Sequence, residues 1–161
     1  MSFIEKLFSR PLYPLYAPMA GRAVPVTEVP DSAFSGGLLG KGIAIIPADG
    51  RVYAPCDAAV DVVFTTGHAV SLIADCGAEI LIHVGLGAAA QEGRFFTAHV
   101  QSGQKVSRGD LLIEVDLQAA TAAGLDLTAP MLVTNASEYA QIQIHTGTDV
   151  SNSDVVVQLA K

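Results

Sequence analysis

Two histidines frame the chemistry open to this sequence. His68 opens one apolar run, His68-Ala69-Val70-Ser71-Leu72-Ile73-Ala74, and His83 closes the next, Glu79-Ile80-Leu81-Ile82-His83-Val84. Between them, Asp75-Cys76-Gly77 reads as a turn. In an antiparallel hairpin with an even loop, His68 falls directly opposite His83, with Cβ atoms about 4.5–5.5 Å apart on one face. A three-residue loop would send the two side chains to opposite faces. Adjacent imidazoles resist carrying two positive charges, so such a pair favours neutral rings near pH 7. A neutral ring keeps one lone pair, which can attack phosphorus or ligate a metal. Two packed histidines satisfied by backbone groups are the plain alternative.

The residues around the pair sharpen the choice. Gly85 lets the chain turn sharply after His83, and its carbonyl can accept the His83 Nδ1–H. That bond would fix the tautomer and present Nε2 to a reactant. Thr66 stands two residues before His68, on the same face if the strand continues there. Its hydroxyl can hold His68 or a phosphate oxygen, while an exposed strand threonine is the bland reading. The sequence carries no Gly-rich loop ending in Lys-Ser or Lys-Thr, so ATP is not the implied phosphoryl donor. His99 and His145 have no comparable setting and are read as structural. Cys56 and Cys76 are read as reduced structural thiols, Cys76 at an exposed hairpin tip.

The elements that must position these residues read as all-β. Strands are expected at Gly21–Val26, Gly42–Pro47, Arg51–Tyr53, Ala58–Thr65, His68–Ala74, Glu79–Val84, Arg94–Ala98, Leu111–Asp116, Met131–Thr134 and Val155–Ala160. Turn signals such as Ser35-Gly36-Gly37, Ala48-Asp49-Gly50 and Arg108-Gly109-Asp110 separate them. One helix is expected at Leu117–Ala123, capped by Asp116 and stopped by Gly124, and a helical turn near Ser137–Gln141. Short strands at this spacing imply a sandwich or barrel. Ala17-Pro18-Met19-Ala20-Gly21 and Ala54-Pro55-Cys56-Asp57-Ala58 hint at an internal repeat. Residues 1–16 read as an N-terminal arm and 17–161 as one domain. Phe3, Ile4, Leu7 and Phe8 share a helical face in the first ten residues, which suits a docking arm or, as the lesser reading, a weak membrane-surface contact.

Composition bounds the classes. The chain has 161 residues, half of them hydrophobic and 16% charged, with a mean hydropathy of +0.42. Such a chain has ample apolar material for a core. The longest run free of acidic and basic residues, Val62 to Ala74, has 13 residues. That is short of the roughly 20 that a spanning helix needs. The net charge of −7 argues against nucleic acid as a main partner. The opening MSFIEKLFSR has no long apolar core or cleavage site, so a cytoplasmic location is expected.

Several stretches together resemble the glucose-family enzyme IIA, the EIIA type 1 domain of the bacterial phosphoenolpyruvate-dependent sugar phosphotransferase system. They are Ala17–Gly21, Val29–Phe34, Gly40–Pro47, Thr66-Gly67-His68-Ala69, the run around His83, and Gly103–Asp110 leading into Glu114-Val115-Asp116-Leu117. The resemblance covers nearly all of Ala17 to Lys161. It implies an antiparallel β-sandwich, or barrel-sandwich hybrid, of two related halves. It implies that His83 is phosphorylated through Nε2, that His68 steadies the phosphoryl group, and that Thr66 belongs to the hydrogen-bond network. The implied donor is phosphohistidine on the phosphocarrier HPr. The implied acceptor is a cysteine of a IIB domain, which serves a sugar permease in the membrane. A relay docking two partners in turn suits a shallow apolar patch, for which Phe34, Phe64, Val84, Gly85, Leu86 and Asp31 are candidates. A monomer is the expected state.

The sequence departs from the family after Leu86, where Gly87 and Ala88 replace the usual Asp or Asn and Thr. A small apolar rim follows at Ala88-Ala89-Ala90, and Gly93-Arg94-Phe95-Phe96 has lost a second glycine. These changes leave room for a regulatory binding protein on the same fold with transfer lost. No cofactor is expected. Zinc held between His68 and His83 with a partner's carboxylate is a weaker alternative, since zinc sites use three or more protein ligands. A lysostaphin-type peptidase would need a second histidine two residues from His145, and a biotinyl or lipoyl carrier a lysine at a hairpin tip. The sequence has neither.

Overall fold

The computed structural model describes residues 11–87 and 93–161. The expected amphipathic stretch in residues 1–10 and the rim Ala88-Ala89-Ala90 lie outside them. The chain begins with β1 (Tyr13–Tyr16), β2 (Gly21–Pro25), β3 (Lys41–Pro47) and β4 (Arg51–Tyr53). It continues with β5 (Ala58–Val63), β6 (Ala69–Ala74), β7 (Glu79–His83) and β8 (Phe96–Ala98). Then come β9 (Lys105–Val106), β10 (Leu111–Val115) and β11 (Ala129–Val133). It closes with β12 (Gln141–Ile144), β13 (Asp149–Val150) and β14 (Val155–Ala160). Two short helices interrupt the strands: α1 (Ser32–Ser35) and α2 (Leu117–Ala122). The Asp31 carboxylate caps α1 by accepting from the Ala33 N–H at 3.0 Å, and Asp116 caps α2 through the Ala119 N–H at 3.1 Å.

The strands form three antiparallel sheets. The largest runs β13-β2-β3-β11-β7-β6-β5-β9, and two smaller ones run β1-β14-β12 and β4-β10-β8. Antiparallel strands with one buried face show alternation, as in β7, where Ile80 and Ile82 are buried and Leu81 is half-buried. The strand β11 breaks this rule and is buried at every residue, because both of its faces are covered. One face joins the main core with Ile43, Ile82 and Met131. The other meets a second cluster of Val24, Val29, Phe34, Ala44 and Leu132, built from α1 and its approach. That second cluster holds Phe34 against the end of β7.

The internal repeat has a structural counterpart. The Tyr16 N–H donates to the Pro55 carbonyl at 3.0 Å, and the Tyr53 N–H donates to the Pro18 carbonyl at 2.7 Å. Tyr16 and Tyr53 each precede an Ala-Pro pair, so the two segments bind each other reciprocally. The likeness extends further. The Ala17 N–H donates to Asp154 O and the Ala54 N–H to Asp110 O. Each of those aspartates closes its own four-residue turn, accepting from Ser151 N at 2.9 Å or Ser107 N at 2.8 Å.

Most expected elements appear, with shifted ends. Tyr13–Tyr16, read from the sequence as the end of an arm, instead pairs with β14, and Pro14 is tolerated because β1 is an edge strand. The helical turn expected near Ser137–Gln141 is a 3-10 turn at Ala136–Glu138. The strand expected from His68 starts at Ala69, and the one expected from Arg94 starts at Phe96.

The β3–β11 contact depends on a missing side chain. Gly42 pairs with Leu132, and a Cβ there would lie 2.0 Å from the Met131 carbonyl oxygen. Neither backbone can yield without breaking ladder bonds in the middle of the large sheet. Gly42→Ala is therefore expected to cost about 2–3 kcal/mol, read as a lower urea midpoint with an unchanged slope. An unshifted midpoint would mean that the ladder relaxes freely here.

Candidate functional site

The hairpin that carries the histidines has a three-residue loop. Ala69 lies opposite His83 and Ile73 opposite Glu79, while the Ala74 N–H donates to the Ala78 carbonyl at 2.8 Å around Asp75-Cys76-Gly77. The direct His68–His83 register expected from an even loop is thus corrected. Strict alternation would now part the two rings, yet their centroids lie 4.7 Å apart at an interplanar angle of 84°. The reason is that His68 is not in the strand. It follows the turn Phe64-Thr65-Thr66-Gly67, closed by the Gly67 N–H on the Phe64 carbonyl at 2.7 Å, with Gly67 at φ +74°. A positive φ suits glycine, and it frees His68 from the face that the ladder would impose. The ladder contact itself persists, since the Val84 N–H donates to the His68 carbonyl at 2.8 Å.

Burial sets the electrostatics. His68 is 3% exposed and is the one buried polar side chain among the described residues. Burial pushes its pKa down to about 4, and the neighbouring His83 pushes it further in the same direction. Burial also lowers the pKa of His83, partly offset by the Gly85 backbone and by the charge of Asp31. Both rings are therefore neutral at pH 7. The Thr66 hydroxyl is hydrogen-bonded to His68 Nδ1. That contact comes from the turn, not from a continued strand face. The Nδ1 atom of His83 is buried and has no fully aligned partner. The Gly85 backbone lies near enough to favour a charged ring but falls short of hydrogen-bond geometry, so the expected Nδ1 bond is only approached.

Aromatic rings enclose the pair. Phe34 stands 5.1 Å from His83 between centroids, and Phe64 and Phe96 stand 5.7 and 6.0 Å from His68. Phe96 was not singled out from the sequence; its signal is the aromatic residue that begins β8, and Gly93 ahead of it packs on the Thr66 backbone. The Gly85 and Leu86 N–H groups are held by the Thr128 and Asp126 carbonyls at 3.1 and 2.8 Å, which fixes the chain after His83. A shallow cleft of about 410 Å³ opens beside His68, lined by Val62, Val63, Phe64, Thr65 and Thr66.

The residues of the expected docking patch differ in exposure. Val84, Gly85 and Phe34 are buried, and Phe34 packs against the His83 ring. Phe64 is exposed, and Leu86 is half-buried. Asp31 serves as the cap of α1. Among the described residues no three or more His, Cys, Asp or Glu side chains gather where a metal could sit. Gly87 is exposed at φ +64°, with open space around it.

This geometry coincides with a match to known proteins. The model of the phosphoenolpyruvate-dependent sugar phosphotransferase system EIIA 1 family matches residues 13–139. The chain belongs to this family. It is 46% identical over 129 residues to the beta-glucoside-specific EIIBCA component of Dickeya chrysanthemi, covering 80% of this chain and 20% of that one. It is 44% identical over 147 residues to the raffinose carrier protein of Pediococcus pentosaceus, covering 90% of this chain and 23% of that one. The chain thus spans about one fifth of the length of the curated relatives it matches. Among solved structures, glucose permease IIA from Mycoplasma capricolum superposes with a TM-score of 0.83 at 29% identity, covering 98% of this chain and 99% of that one. The expected antiparallel all-β fold and the phosphotransferase-system class both stand. Among the described residues no helix is long and apolar enough to cross a membrane.

The depressed histidine pKa values make stability depend on pH with a definite sign. Unfolded, His68 titrates near its ordinary value of about 6.5; folded, it titrates at about 4. Between these values the unfolded chain binds the extra proton. The contribution of the neutral ring is whole above about pH 6.5 and is lost as pH falls toward 4. Urea unfolding at pH 7 and pH 5 should show a smaller loss for His68→Gln than for the parent chain, and NMR titration should find His68 neutral at pH 5.5. Equal losses, with His68 charged at pH 5.5, would contradict the burial.

Proposed function

We propose that this EIIA domain relays a phosphoryl group through Nε2 of His83, taking it from phosphohistidine of HPr and giving it to a cysteine of a IIB domain. The observation that carries this reading is the pair of neutral imidazoles 4.7 Å apart, with His83 Nδ1 buried. Burial of Nδ1 leaves Nε2 as the nitrogen for a reactant. In the transfer, the Nε2 lone pair forms the new P–N bond in line with the breaking P–N bond of the donor. The His83 ring becomes positive as it takes the phosphoryl group, and the nearby Gly85 backbone and Asp31 favour that charge. In the tautomer in which Thr66 donates to Nδ1, His68 holds its own proton on Nε2 and can donate to a phosphoryl oxygen. Thr66 and His68 are linked by one hydrogen bond, and His68 meets His83 through a ring contact, which gives the three residues their proposed roles.

The surface suits serial docking. Phe64 and Val62 are exposed beside His68, and Leu38 and Leu39 are exposed in the loop after α1. A shallow apolar rim of this kind favours a small, weak interface of less than about 1,200 Å², which lets partners exchange quickly. The name of the Dickeya chrysanthemi relative, an EIIBCA component, supports the IIB partner. In this reading the domain works on the cytoplasmic side, peripheral to the membrane permease.

Incubation with phosphoenolpyruvate, enzyme I and HPr tests the relay by intact mass and site mapping. One acid-labile phosphate on His83 is expected, and His83→Ala should take up none. His68→Gln should still accept phosphate but deliver it to IIB slowly, about 100-fold or more below the parent rate. Full labelling of the His83 variant, or normal delivery by the His68 variant, would overturn the assignment.

A further inference from the structure

A cleft away from the histidines contains both cysteines. It measures about 530 Å³ and is lined by Tyr13, Tyr16, Cys56, Asp57, Cys76 and Arg108 among others. Both cysteines are free, half-buried, and packed against the main core. The pairing of β5 with β6 brings them to the same end of the sheet, close enough for the charge of Cys76 to act on Cys56. Ala58 is opposite Ala74, and the Asp75 N–H donates to the Asp57 carbonyl at 3.0 Å, so the ladder runs one residue past the strands. The next residues along are Cys56 and Cys76. One turn residue beyond that last bond, Cys76 lines the same cleft as Cys56. Disulfides span Cα separations of about 4.4–6.8 Å.

We propose that Cys56 and Cys76 form a reversible modification site that closes to an intramolecular disulfide when a small-molecule disulfide enters this cleft. In this scheme Cys56 is the thiol held protonated by burial, so Cys76, in the hairpin loop, reacts first. Its thiolate attacks one sulfur of the reagent, forming a mixed disulfide and releasing one reduced thiol. The Cys56 sulfur then attacks the Cys76 sulfur, forming the internal bond and breaking the mixed disulfide, and the Cys56 proton passes to the departing reagent sulfur, which leaves as the second reduced thiol. The two protein thiols are oxidised and the reagent's one disulfide is reduced to two thiols, so atoms and electrons balance. Burial pushes the Cys56 thiol up to about 12, with Cys76, Asp57 and Asp75 adding to the shift. This keeps Cys56 unreactive toward solution reagents until a mixed disulfide forms beside it. Tyr139 steadies the loop by donating to the Cys76 carbonyl at 3.1 Å. The site stands at the opposite end of β7 from His83, so it is independent of the proposed relay.

Oxidised glutathione added to the purified chain tests this by intact mass and non-reducing peptide mapping. The expected product has lost two hydrogen atoms, yields one Cys56–Cys76 linked peptide, and reverts with dithiothreitol. Cys56→Ser should halt at one glutathione on Cys76. A lasting glutathione adduct on the parent chain, a disulfide-linked dimer, or two unmodified thiols would each overturn the proposal.

Discussion

Two imidazoles are drawn out of water here with no ion pair to either among the described residues, and that desolvation is the condition the surrounding structure serves. An imidazole buried beside another imidazole is stable only as a neutral ring, and a neutral ring is a nucleophile or a hydrogen-bond donor according to its tautomer. The turn at Gly67 swings His68 inward, and Thr66 in the same turn occupies its Nδ1. Phe34, Phe64 and Phe96 exclude water from the ring faces. The fully buried strand β11 backs the hairpin, so the rings rest on a rigid sheet and not on loops alone.

The site makes sense of the second core cluster. A sheet with one wet face would leave His83 open on its outer side. Here α1 and the segment before it cover that side with Val29 and Phe34, and Phe34 closes against His83. The covering element is only four residues long and depends on its Asp31 cap. That same carboxylate supplies a favourable charge to the His83 ring. One side chain therefore links the local stability of α1 to the electrostatics of the nucleophile.

Much of this was legible in the residues, but for partly different reasons. The apolar runs ending in His68 and His83 and the turn between them announced the hairpin, and the pairing of the rings followed from an assumed even loop. The loop is odd, and the rings meet because a glycine turn releases His68 from the ladder. Sequence alternation carries no information on such a release. Burial of Phe34 and Val84 was also hidden, since a single chain pattern does not reveal that a short helix covers the outer sheet face. The missed strands have physical causes too. Two residues at Lys105–Val106 or Asp149–Val150 show no period, and Pro14 masks an edge strand whose missing N–H costs little.

The reciprocal bonds between the two Ala-Pro segments have a consequence for how the molecule comes together. Each segment is completed by the carbonyl of the other, and each is further tied to an aspartate turn distant in the chain. Neither half can satisfy its own backbone alone, so neither can persist as an independently folded unit. Assembly must proceed as one cooperative event dominated by contacts between remote residues, which makes it slow beside a helical protein of equal length. The histidine pair, carried by one half, is thereby built only when the whole chain has closed.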